Sequence, residues 1–527
     1  MNAPSPATRQ PSAAKRSRRP AERRLAELRQ RLAEISDLRA AASLLGWDQA
    51  TYMPKGGADA RGRQGAVLHR LAHERSIDRG LGRLLDGLQA HADTLAPDSD
   101  DASLIRVARR NFEKAIKVPA EYVARSNAWG SAAYDAWTRA RPENDFAAVR
   151  PLLEQGLDLA REYAGFFAPY RHIADPFIDD ADEGMTTAEI STLFADLRGA
   201  LVPMVRAITE QPVADDRAVQ GNFADAAQLR FNLMVAERIG YDVARGRLDL
   251  THHPFCTRLS AGDVRITTRL DAHDLGYSLF TTLHEAGHAL YEQGVSPALE
   301  GTPLGHGTSA GVHESQSRLW ENAVGRSRGF WQHFFPVLQR DFPQPFAQVS
   351  LETFYRVVNK VERSLIRTES DEMTYDLHIM LRFDLELQLL EGRLRVADLP
   401  EAWRAAMLND LGLAPPDDRD GCMQDVHWYS GGFGGAFQSY TIGNILGAQF
   451  YAAALQAHPT IPQEIEAGRF ATLHDWLRDN IYRHGRKFTP NELIARVTGG
   501  PMTIAPYLAY LRGKFGEIYR LPAAEMS

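Results

Sequence analysis

The sequence predicts a mainly α protein with one small β element, on three observations. Apolar residues recur at helical spacing along most of the chain, extended alternation is scarce, and the one short strand stands just before a histidine-bearing helix. From Ala21 onward, Leu25, Leu28, Leu32 and Ile35 follow at spacings of three and four with charged residues between them, one apolar stripe on an amphipathic helix. Similar stripes run over Leu81 to Leu95, Ala102 to Ile116, Val149 to Phe167 and Ala188 to Leu201, punctuated by Pro119, Pro142 and Pro176. The strand is Gly262 to Thr268, where Val264 and Ile266 face one way and Asp263, Arg265 and Thr267 the other. A helix follows, with Asp274 as N-cap, Leu279, Phe280, Leu283 and Leu290 as its buried stripe and Gly294 as its stop. Thr308 or Ser309 caps the next, and a further helical run with Val357, Val361 and Leu365 carries Arg367.

At 527 residues, 44% hydrophobic and 24% charged, the chain has globular composition and needs neither disulfide nor metal merely to fold. The net charge is −7. Arg9, Lys15, Arg16, Arg18, Arg19, Arg23 and Arg24 stand against Glu22 in residues 1–24, so that stretch carries +6 and the remainder −13. We read 1–24 as a disordered basic tail with no secretory h-region, and the acidic body as offering no field for nucleic acid. The most apolar late stretch, Ile442 to Ala457, is interrupted by Asn444 and Gln449 and is too short to span a bilayer, so no membrane partner is expected. Two cysteines, Cys256 and Cys422, fit reduced thiols in a cytoplasmic protein.

The chemistry concentrates in Thr282-Leu283-His284-Glu285-Ala286-Gly287-His288. Residues four apart share a helical face, so His284 and His288 can converge on one divalent ion at about 2.0–2.1 Å. Glu285, beside them, can take a proton from a water that the ion has made acidic. Imidazole and carboxylate donors suit zinc, while cobalt or manganese fits the same set. A catalytic site of this kind takes three protein ligands. Downstream, Glu314 and Glu321 lie one heptad apart on nearly the same face, and geometry alone leaves both open.

Further segments resemble, in order, those of the carboxypeptidase Taq family of metallocarboxypeptidases. His253-Pro254-Phe255 matches HPF, Asp263 to Thr267 matches DxRxT, His313-Glu314-Ser315-Gln316 matches HESQ, and Gly421 to Trp428 matches GxxQDxHW. Leu44 to Pro54 is similar to the family's opening segment. Ile366 to Asp371 departs from the pattern at Ser370, where the family has alanine, and retains Arg367. The resemblance implies that Glu314 is the third ligand of one metal ion per chain, and that the enzyme removes single residues from peptide C-termini with broad specificity. It also implies a large helical zincin-like fold with a long substrate groove, residues 25–250 forming one wall and 251–527 the catalytic region, and a homodimer.

An exopeptidase acting at the C-terminus needs a cation for the terminal carboxylate, and arginine's planar fork supplies it. Arg367 is the first candidate and Arg265 the second, with Asp263 and Thr267 either orienting substrate or facing solvent. The glycine-rich turn Gly431 to Gly435 precedes Tyr440, and His427 or Tyr440 can donate to the oxyanion of a tetrahedral intermediate. His313 can orient Glu314 or a ligand histidine; His252 and His306 are read as bystanders. The alternative function is a helical zinc oligopeptidase cutting internal bonds of short peptides, for which a carboxylate-binding arginine has no use. A non-catalytic protein with a structural metal fits less well, since such a site favours four protein ligands and has no need of Glu285.

Overall fold

The stripe Leu25, Leu28, Leu32 and Ile35 lies along helix α1 (Ala13–Thr51) with all four side chains buried. The computed structural model describes residues 13–434 and 437–522. Residues 13–24 of the stretch expected to be disordered are helical, in keeping with the strong helix propensity of Ala and Arg; residues 1–12 of it lie outside the described residues. The chain folds as two compact units, one running to Ile116 with Ser296–His306, the other comprising Lys117–Val295 and Gly307 onward. In the first, the α1 stripe belongs to a core that includes Leu81, Leu84, Leu104 and Ile105.

The second unit holds the β element and every chemistry-bearing motif from His253 onward. Three strands, β1 (Leu248–Leu250), β2 (Cys256–Ser260) and β3 (Asp263–Thr268), form a sheet in the order β1-β3-β2. β1 runs parallel to β3 and β2 antiparallel to it, with a register shift between Arg258 and Ser260. Only β3 is legible in sequence. β1 has three residues, and every residue of β2 is half-buried, so neither shows the alternation that marks a strand. Val264 and Ile266 of β3 are fully buried, as the alternation predicts.

β3 packs on α2 (Leu275–Gly294), which carries the HExxH motif. Asp274 caps it, Oδ1 accepting from the Tyr277 amide at 3.2 Å. Ser309, rather than Thr308, caps α3 (Ala310–Arg318), accepting from the Val312 amide at 3.1 Å. α3 runs directly into a π-helical turn, Leu319–Val324. Behind it lie α4 (Tyr375–Leu390) and α5 (Phe437–Ala457), apolar around most of their circumference as buried helices are. Asp182 ties the start of α3 to α5, accepting from the Gly311 amide at 2.8 Å and from Ser439 Oγ at 2.6 Å. Asp376 ties α4 to α5 by accepting from Thr441 and Asn444, both at 2.8 Å.

Two glycines let α3 approach its neighbours. A Cβ on Gly287 of α2 would stand 2.5 Å from the Gln316 carbonyl oxygen, and one on Gly443 of α5 would stand 2.6 Å from Glu314 Cβ. Real side chains do not tolerate such distances, so glycine at these positions sets how near Glu314 comes to the histidines of α2.

Candidate metal centre

α2 and α3 bring together one potential ligand atom from each of His284, His288 and Glu314, all within 4.8 Å of one another. Glu314 Oε2 lies 3.7 Å from His284 Nε2 and 3.4 Å from His288 Nε2. Tetrahedral ligands at about 2.0–2.1 Å from an ion would stand roughly 3.4 Å apart. The donor set therefore has the spacing and the chemistry to hold one divalent cation. Each imidazole has its other nitrogen engaged elsewhere: Nδ1 of His284 meets Glu321 Oε2 at 2.9 Å, and Nδ1 of His288 meets His313 at 2.6 Å.

The heptad ambiguity between Glu314 and Glu321 resolves into two positions. Glu314 faces the Nε2 atoms, while Glu321 stands behind His284. The π-helical turn that carries Glu321 shifts its angular position relative to a regular α-helix, so Glu314 reaches both histidines from one side and Glu321 reaches His284 from the other. Arg318, one turn beyond Glu314, donates to Glu314 Oε1 at 2.8 Å and to Glu321 Oε2 at 3.3 Å. Against the cost of burial, His284 and Arg318 hold the Glu314 carboxyl well below the usual carboxylate range. Glu285, by contrast, is pushed up to about 7 by burial, with His284 opposing and Glu314 reinforcing the rise. Its place beside the ligand pair suits that carboxylate to taking up and giving back a proton.

A second cluster forms around Asp425. Its Oδ2 accepts from Arg367 Nε at 2.6 Å, and its Oδ1 is hydrogen-bonded to His427 Nδ1. His427 Nε2 lies 3.5 Å from the Tyr440 hydroxyl. Arg382, 1% exposed, is sandwiched between the Phe437 and Trp428 rings at 3.9 and 4.1 Å, with Nη1 3.8 Å from Asp425 Oδ2. Despite burial, Arg382, the His427 hydrogen bond and Arg367 hold Asp425 far below the carboxylate range. Tyr375 joins the two clusters: its hydroxyl accepts from Arg367 Nη1 at 3.1 Å, and its ring lies 4.3 Å beneath Arg318.

Arg367 does not lie on a helix as expected. The Leu351–Val358 helix ends where Asn359 turns its side-chain amide back onto the Tyr355 carbonyl at 2.9 Å, and Arg367 opens a single 3-10 turn. Ser370 closes that turn by donating to the Arg367 carbonyl at 2.5 Å. On β3, Arg265 is paired with Asp263 through two bonds of 2.8 and 2.7 Å. Thr267 is fully buried, exchanging hydrogen bonds with the Phe255 backbone rather than facing solvent. Sequence reasoning gives no role to Arg318, Tyr375, Arg382 or Asp425, although Asp425 stands in the matched segment Gly421 to Trp428. Arg318 carries a signal, the i,i+4 spacing from Glu314, and Asp425 stands two residues before His427. Cys256 and Cys422 are both free, and among the described residues no helix is long and apolar enough to cross a membrane.

Residues 27–515 match the family model described as carboxypeptidase Taq (M32) metallopeptidase. The chain is 41% identical over 492 residues to thermostable carboxypeptidase 1 of Thermus thermophilus, covering 92% of this chain and 96% of that one. It is 34% identical over 489 residues to carboxypeptidase 1 of Bacillus subtilis, covering 92% and 97%. Among solved structures, the M32 carboxypeptidase from Deinococcus radiodurans R1 superposes with a TM-score of 0.92 at 50% identity, covering 94% of this chain and all of that one.

Proposed function

The chain belongs to the carboxypeptidase Taq (M32) family of metallopeptidases, and from that premise we propose that it releases single amino acids from peptide C-termini with broad specificity, using His284, His288 and Glu314 to hold one divalent ion. The observation that carries this reading is the convergence of those three side chains with the buried carboxylate of Glu285 beside them. Zinc is the ion the imidazole–carboxylate set suits best, with cobalt and manganese able to take the same place. When bound, the ion supplies Lewis acidity, making water acidic and polarising the scissile carbonyl.

Glu285 accepts the proton of the attacking water and returns it to the departing amine. His427 or Tyr440 donates to the oxyanion; Asp425 fixes the His427 ring from behind, and the Tyr440 hydroxyl lies 3.5 Å from His427 Nε2. Arg367 captures the terminal carboxylate. Its Nε is committed to Asp425 and its Nη1 to Tyr375, and among the described residues no hydrogen bond engages Nη2. Arg265 is the reserve anchor, with Asp263 orienting it and Thr267 bracing the neighbouring strand. A homodimer in a reducing cytoplasm belongs to the same reading, supported by the family likeness and by two unbridged cysteines.

The test is direct. The metal-loaded protein is incubated with a peptide blocked at its N-terminus, and the first product is identified by mass. A free C-terminal amino acid supports the carboxypeptidase; two peptides would instead make it an oligopeptidase.

A further inference from the structure

The two histidines of the HExxH motif are held from behind by different chemistry. His284 meets a carboxylate directly, Glu321 Oε2 at 2.9 Å. His288 meets a second imidazole: its Nδ1 lies 2.6 Å from Nδ1 of His313, whose Nε2 lies 2.8 Å from Glu292 Oε1. Glu292 sits on α2 one turn beyond His288, and its Oε2 is 3.3 Å from Nε of Arg258 on β2. Both of these side chains are under a tenth exposed, 7% for Glu292 and 6% for Arg258.

Proton counting gives the chain a direction. An imidazole that offers the Nε2 lone pair to a cation carries its own proton on Nδ1, so His288 is the donor to His313. His313 then accepts at Nδ1 and keeps its proton on Nε2, where it donates to Glu292. Behind that carboxylate stands the Arg258 guanidinium, a complementary charge in a buried space. The reverse direction defeats the site. Were His313 to donate from Nδ1, the proton of neutral His288 would move to Nε2 and block the cation.

The ring that makes this choice is clamped. Tyr291 packs on His313 with ring centroids 5.1 Å apart, and a Cβ on Gly307 would stand 2.6 Å from His313 Cδ2. The Gly307 amide donates to the same Glu292 oxygen at 3.2 Å.

We propose that His313 and Glu292, with Arg258 behind them, are positioning residues that fix His288 in its metal-binding tautomer and so set the affinity of the centre from its far side. The inference rests on His288 being a ligand. Losing such an outer partner typically lowers metal affinity about 10–100-fold. Dissociation constants for Co²⁺, measured on the full chain by competition with a chromophoric chelator, read this without recourse to activity. His313→Phe should weaken binding by about 10–100-fold and shift the visible spectrum of the Co²⁺ form. His313→Gln, which keeps a side-chain oxygen to accept from His288, should recover most of the loss. Both metal-free variants should unfold at the wild-type midpoint, which separates a ligand effect from a folding defect; a lowered midpoint that accounts for the affinity loss overturns the proposal. Wild-type affinity in His313→Phe, alongside a large loss in His288→Ala, also overturns it. Wild-type affinity in both would overturn the ligand reading beneath it.

Discussion

Arg318 Nε donates to Glu314 Oε1 at 2.8 Å, and this bond decides which oxygen of Glu314 is left for the two imidazoles. Oε2 is the one that faces them. The same guanidinium reaches Glu321, so one cation orders the carboxylate in front of His284 and the carboxylate behind it. Without Arg318 the buried carboxylates of Glu314 and Glu321 would lose the guanidinium they share.

Metal content should therefore depend on Glu314 and on Arg318 to different degrees. Glu314→Ala should lose the ion almost entirely by elemental analysis, whereas Arg318→Met should retain it with affinity lowered about 10–100-fold. The apoprotein of either should keep its helical circular dichroism, because the core is large without the metal. Unchanged stoichiometry in Glu314→Ala would move the ligand role to Glu321.

Glu285→Gln should bind metal normally and lose nearly all turnover, since glutamine keeps the shape but cannot accept a proton. Loss of a general base costs on the order of 10²–10⁴-fold in rate. A variant retaining more than about a tenth of wild-type kcat would show that another group does this work.

Asp425 is the counter-charge for two arginines that are nearly out of solvent, so Asp425→Asn should destabilise the fold as well as the site. Removing one partner of a buried pair costs about 3–5 kcal/mol, because the charge left behind stays buried. Denaturant unfolding should show a lower midpoint with an unchanged slope. The pH dependence has a definite sign. Asp425 titrates far below its unfolded value, so its contribution is complete above about pH 4 and drains as pH falls further. The gap between wild type and variant should thus be constant from neutral pH to about 4 and shrink below it. A gap that widened in acid would contradict the assignment.

Gly443 sets one helix-propensity gain against one steric cost. Alanine in a helix interior is favoured over glycine by about 0.8–1.0 kcal/mol, but here its Cβ would overlap the Glu314 side chain, and overpacking costs about 1–3 kcal/mol. The steric effect should win, and it acts on a ligand. Gly443→Ala should weaken metal binding while leaving the fold intact. Gly199→Ala, on an exposed helix face with nothing within 4 Å, is the control and should raise the melting temperature instead. Equal metal affinity in the two variants would mean that Glu314 adjusts freely.

The helix bearing His284 and His288 was fully legible because its cap, its apolar stripe and its motif agree. The third ligand was legible only as a pair of choices. A π-helical turn has no local sequence mark, so heptad geometry put Glu314 and Glu321 on one face when they reach the histidines from two sides. Arg367 was placed on a helix because the apolar spacing of Val357, Val361 and Leu365 continues past Val358. The backbone stops there for a tertiary reason, since Asn359 also donates to the Arg326 carbonyl at 3.1 Å. Asp425 is legible only as a member of the Gly421 to Trp428 segment, without a role, because its importance comes from Arg367 and Arg382, 58 and 43 residues earlier in the chain, and no local pattern links residues so far apart.

Arg367 is where the carboxypeptidase reading meets its most specific test. Its guanidinium is buried yet held by Asp425 and Tyr375, so it is preorganised, and preorganisation lowers the entropy cost of capturing a carboxylate. Losing a largely desolvated charge pair should cost about 2–5 kcal/mol of substrate recognition, seen mainly in kcat/KM. The informative comparison uses one peptide as the free acid and as the C-terminal amide, with wild type and with Arg367→Ala. Wild type should strongly prefer the acid, and the variant should lose that preference more than it loses hydrolysis of the amide. Because Arg367→Ala also leaves Asp425 with one fewer counter-charge, Arg367→Lys is the necessary partner: it keeps the charge but not the fork, and should discriminate weakly. If Arg367→Ala discriminates as well as wild type, the arginine only supports Asp425, and Arg265 becomes the anchor to test. If wild type itself hydrolyses acid and amide alike, no residue captures the terminus.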